Sequence, residues 1–73
     1  MEDIINIAND SISILNILLK RKVNRSNKLK DDSLDIRYRD FLEKSLERND
    51  RYIDCFLDVV NECIFYLNSE KEE

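Results

Sequence analysis

A chain of 73 residues has room for one domain and a modest core, because proteins this short bury only about 60% of the surface that their unfolded chains expose. With no Gly and no Pro it lacks the residues that most readily make tight turns and helix stops, and 42% apolar with 38% charged residues suits an all-α fold. The net charge of −4, the acidic start Met1-Glu2-Asp3, and an apolar run over 12–19 that Ser13 and Asn16 interrupt argue against a signal peptide or a span of the ~20 residues a bilayer requires. A soluble, cytoplasmic protein is the expectation.

The first element reads as a helix over 1–22. Ile4, Ile5, Ala8, Ile12, Leu15 and Leu19 form a central stripe at helical spacing, and Ile7, Ile14 and Leu18 widen one shoulder. Asp3 suits the start, and Lys20, Arg21 and Lys22 suit the negative end of the helix dipole. The face covers about half the circumference, broader than the ~100° that packing on one neighbour requires, so it implies a second contact.

Segment 23–33 reads as a basic loop. Polar and charged residues surround a lone Leu29 with no sustained period. Lys20, Arg21, Lys22, Arg25, Lys28 and Lys30 place six cations within 20–30, and no acid lies among them. The remaining residues of this net −4 chain are therefore strongly acidic.

A long second helix follows over 34–68, with Asp32 or Ser33 as its cap. Leu34, Tyr38, Phe41, Leu42, Leu46, Tyr52, Ile53, Phe56, Val60, Cys63, Ile64 and Leu67 keep one phase over 34–67. Oppositely charged pairs recur four residues apart, Asp35 with Arg39, Asp40 with Lys44 and Glu47 with Arg51, and the last, which crosses Asn49-Asp50 in the favoured acid-first order, supports continuity. Ser45 and Asn49 interrupt the stripe, and Asn49-Asp50 offers an end followed by a new cap, which is the basis of an alternative three-helix bundle. The favoured reading is a helical hairpin with a short first and a long second helix. Its uncovered end, carrying Val59, Val60, Cys63, Ile64 and Leu67, would then dimerise into a four-helix arrangement. A frayed acidic tail is expected over 69–73.

Chemistry-bearing patterns are sparse. Glu43, Glu47, Asp50, Asp54 and Asp58 share the face opposite the stripe, but Lys44, Arg48 and Arg51 flank them, and a salt-laced solvated face explains them better than a metal site. Cys55 and Cys63 are too far apart along a helix for a disulfide, and the absence of His removes zinc-ligand spacing and the commonest catalytic base. No enzyme, metal or cofactor is expected. The Asn-X-Ser patterns at Asn9 and Asn24 carry no meaning without a secretory signal.

Binding is what the residues suggest. Ile17 and Phe65 point away from the main stripes and Tyr66 lies at an edge, so a partner surface is expected from Ile7, Ile14, Ile17, Phe65 and Tyr66. The expected role is a protein-protein interaction module, a regulator, inhibitor or assembly factor that occludes a partner surface while its basic segment steers association. The Ile-, Asn-, Lys- and Asp-rich composition, with one Ala, fits an AT-rich phage or mobile-element origin. The alternative is a nucleic-acid-binding regulator that uses the six cations of 20–30, though these lack interleaved aromatics in the sequence.

Overall fold

The computed structural model describes residues 2–71 and consists of two helices, α1 (Glu2–Leu29) and α2 (Ile36–Lys71). They form an antiparallel hairpin of 59 × 15 × 14 Å. Among the described residues there are no strands.

The expected continuous second helix stands, while several other expectations change. Helix α1 does not end at residue 22. It continues to Leu29, so most of the expected basic loop over 23–33 is helical. The reason lies in the packing seam: Ile4, Ala8, Ser11, Leu15, Leu18, Lys22, Arg25 and Leu29 recur at alternating steps of four and three, the spacing that keeps one side of a helix against a neighbour. Polar residues occupy part of the seam, so a search for apolar residues alone misses its continuation.

Helix α2 is unbroken through Asn49-Asp50, which rules out the three-helix alternative. The two polar residues that suggested a break are buried contacts. Asn49 Nδ2 donates to the carbonyl of Leu18 at 2.8 Å, and Arg25 Nη1 donates to Ser45 Oγ. Asp40–Lys44 is an ion pair at 3.1 Å. Arg39 does not pair with Asp35 but turns its guanidinium onto the connection. The tail expected to fray over 69–73 is helical as far as Lys71, while residues 72–73 lie outside the described residues.

The covering of the end of α2 changes as well. At 28 residues α1 is about 42 Å long, so it reaches far along α2 and Ile4 and Ile7 lie beside Val59 and Cys63. Cys63 is buried, and Val59, Val60 and Leu67 are half-buried. Of the five residues expected to form a bare dimerising end, only Ile64 remains exposed. The premise of an end uncovered by its own chain does not hold.

The connection over 30–35 turns the chain without Gly or Pro. Asp31 Oδ1 accepts from the Ser33 amide at 3.0 Å and from Ser33 Oγ at 2.7 Å, an aspartate-centred turn. Arg39 of α2 then donates to Leu29 O at 3.1 Å and to Asp31 O at 2.8 Å, satisfying carbonyls that the end of α1 would otherwise leave without helical partners. The cap of α2 is Asp35, whose carbonyl accepts from the Arg39 amide at 2.9 Å, rather than Asp32 or Ser33.

Candidate interaction surfaces

Two helices have one mutual seam, and this one is thin. Its buried members are Leu15, Leu18, Leu42 and Cys63 with Ser11, Ser45 and Asn49. The apolar residues that flank the seam are left on two opposite faces of the hairpin.

The first face is apolar along most of its length. Ile5, Ile12, Leu19 and Val23 of α1 are exposed and fall on one side of that helix. On the corresponding side of α2, Leu57 and Ile64 are exposed, and Leu46 and Ile53 are half-buried. Steps of seven relate Ile5, Ile12 and Leu19, and likewise Leu46, Ile53 and, one helix turn round, Leu57 to Ile64. Such steps give each helix a second seam. This α2 set includes Ile64 of the expected dimer residues, and the α1 set comes from the central stripe rather than from its shoulder.

The second face holds two grooves. Near the chain termini, Ile7, Val59 and Tyr66 line a groove of about 270 Å³ over Ile4 and Cys63, with Glu62 at its rim. Nearer the turn, Arg21 and Arg25 of α1 and Arg48 of α2 line a groove of about 300 Å³. Phe41, Tyr52, Ser45 and Asn49 complete it. Aromatics are thus brought among the cations across the hairpin, which the linear sequence of 20–30 conceals.

The expected partner set is split. Ile7 and Tyr66 share a groove, and Ile14 lies on the same side of α1 as Ile7. Ile17 and Phe65 sit on the outer backs of their helices, Phe65 at 68% exposure with its ring 6.1 Å from that of Tyr66 in an edge-on arrangement. The six-cation patch is also split. Arg21, Arg25 and Lys28 occupy one side of α1, whereas Lys20 lies on another and Lys30 is in the turn. Lys22 pairs with Asp50 at 2.9 Å. Phe41, Tyr52 and Arg48 complete the basic groove, although spacing alone puts the two aromatics in the stripe of α2 and Arg48 beside its acidic face.

Glu43, Glu47, Asp50, Asp54 and Asp58 are all exposed along the outer side of α2. Cys55 is exposed and Cys63 buried, and neither is in a disulfide. Among the described residues no helix is long and apolar enough to cross a membrane. Compared with protein-family models, with curated proteins and with solved structures, the chain matches none.

Proposed function

We propose that this chain is a small interaction protein that pairs with a second copy through its apolar face and presents the opposite face to another protein, acting as a regulator, inhibitor or assembly factor by occlusion. The observation that carries this reading is the uncovered stripe of Ile5, Ile12, Leu19, Val23, Leu57 and Ile64. An apolar face that runs along both helices of a short hairpin exceeds the scattered exposure normal for a monomer's surface.

Surface area points the same way. The hairpin exposes 5939 Å², against roughly 4,800 Å² for a compact monomer of this mass. The excess is comparable to the ~800 Å² that each partner contributes to an ordinary stable interface. Beside the stripe, α1 carries Lys20 and α2 carries Glu47 and Asp54 on its outer side. A two-fold axis parallel to the helices lays α1 of one copy over α2 of the other at the same height. Lys20 then faces Glu47 of the second copy, and a four-helix bundle closes.

Light scattering across a concentration series tests the pairing. The wild-type chain should give twice 8.8 kDa, and I12E with L57E should return the mass of one chain while circular dichroism still reports helix. K20E, fully outside the intramolecular seam, should weaken association without altering the fold. A wild-type mass of one chain at every concentration overturns the reading.

A further inference from the structure

The face opposite the apolar stripe changes character along its length. Its terminal half is greasy, with Ile7, Ile14, Val59 and Tyr66; its turn-proximal half is cationic, with Arg21, Arg25 and Arg48 flanked by Phe41 and Tyr52. From Phe41 to Tyr66 the rise along α2 is about 38 Å.

The cationic half is uncompensated. Among the described residues no carboxylate lines that groove, and Arg21, Arg25 and Arg48 form no ion pair. The carboxylates nearest in sequence are engaged elsewhere or face the outer side of α2, Asp50 with Lys22 and Asp40 with Lys44. Three guanidinium groups around one groove repel one another, and an anionic ligand relieves that repulsion. Arg25 is already held by Ser45, so its planar fork needs little reordering to meet a carboxylate.

We propose that this face binds an amphipathic helix of another protein, its apolar stripe on Ile7, Ile14, Val59 and Tyr66 and an acidic end at Arg21, Arg25 and Arg48. This rests on the reading above only in reserving the apolar face for the second copy. The valley between two antiparallel helices seats a third helix as in any helical bundle, and apolar anchors at one end with charge at the other set its direction. A nucleic-acid strand would find phosphate partners only at the turn-proximal half, because Lys20, Lys22 and Lys30 lie off this face and the terminal half offers it Glu62 and Asp10.

The test uses the full chain and a fluorescein-labelled peptide of four heptads, with Leu at the first and fourth positions of each, Glu at the flanking positions of two heptads at one end, and Gln at those of the others. Anisotropy should show saturable binding. Replacing the Glu residues by Gln should weaken it by about tenfold or more, the scale of losing close charge pairs at an interface. R21E/R48E alters two exposed positions; it should abolish binding of the Glu peptide and create binding of its Lys counterpart. I12E/L57E should leave peptide binding in place, which separates this site from self-association. Binding that is indifferent to R21E/R48E overturns the proposal. So does an oligothymidylate that binds through Arg21 and Arg48 when the peptide does not, or a Glu peptide that binds only through Ile12 and Leu57.

Discussion

Asn49 reaches across the hairpin and donates from Nδ2 to the main-chain carbonyl of Leu18 at 2.8 Å, in a position only 3% exposed. Leu18 O already serves the α1 ladder, so the side chain adds a second bond to an acceptor that has two lone pairs. A seam Leu would bury more apolar area, yet it would fit any register that keeps the heptad spacing; Asn49 is satisfied only where a free carbonyl lone pair meets it. Asn49→Ala should therefore cost about 1–3 kcal/mol in urea denaturation, from the lost bond and the void left behind. Asn49→Leu should raise the midpoint instead while admitting a slipped register, visible as doubled amide resonances. A single set of resonances for Asn49→Leu would show that the polar contact does not select the pairing.

Arg39 makes the second prediction. Its guanidinium bridges Leu29 O and Asp31 O, tying the last turn of α1 to the first turn of α2. Arg39→Ala should cost about 1 kcal/mol, less than a buried charged hydrogen bond because the site is partly open to solvent. Arg39→Lys should recover only part of that loss, since an ammonium lacks the planar fork that reaches two carbonyls at once. Amide exchange should quicken at Lys30 and Asp31 before it does at the seam.

Asp31 gives the turn a pH dependence. The Ser33 hydroxyl and then the Ser33 amide donate to its carboxylate, and these two bonds hold the group below its ordinary value against the opposing effect of desolvation, with the charge of Arg39 a lesser contribution. A lowered folded value means that the turn is fully stabilised above the ordinary carboxylate range, and that this contribution fades as pH falls through the folded value. Carboxyl ¹³C titration should place Asp31 below the ordinary carboxylate range, with the Ser33 amide shift following the same curve. Asp31→Asn should flatten the Ser33 response; a Ser33 amide that still titrates in that variant would assign the effect to another group.

The all-helical class and the two-helix pattern were legible because stripes at helical spacing outnumber every competing signal and nothing in the chain stops a helix cheaply. The end of α1 was not legible. Lys22 and Arg25 stand where an apolar stripe would place apolar residues, and their long side chains fill seam positions by reaching Asp50 and Ser45. The same substitution of polar for apolar contacts made Ser45 and Asn49 look like a break in α2. Once α1 is extended, the greasy end of α2 is covered and the surplus apolar surface moves to the side of the hairpin, at Ile12 and Leu57. The basic groove was hidden because its cations come from both helices and its aromatics, Phe41 and Tyr52, from only one. Phe65 and Ile17 stood out in the sequence for leaving the stripe, but leaving the stripe places a residue on a back, not in a groove.

Leu42 and Ile36 separate what the seam does from what the surface does. Both are large aliphatic side chains of α2, yet Leu42 is 2% exposed and Ile36 is 82% exposed. Truncating Leu42 to Ala removes buried methyl groups and leaves a cavity beneath α1, at a cost of about 2–5 kcal/mol. In so thin a seam that should shift the urea midpoint strongly, or abolish the cooperative transition where stability lies near the lower end of the usual 5–15 kcal/mol. Ile36→Ala should stay within about 0.5 kcal/mol, because its side chain gains little on folding of one hairpin and Ala is the better helix former. The denaturation should be run at two protein concentrations. If Ile36→Ala becomes costly only at the higher one, Ile36 packs on a second chain and the interface extends past Leu46 towards the turn; if it is neutral at both, self-association stops short of the first turn of α2.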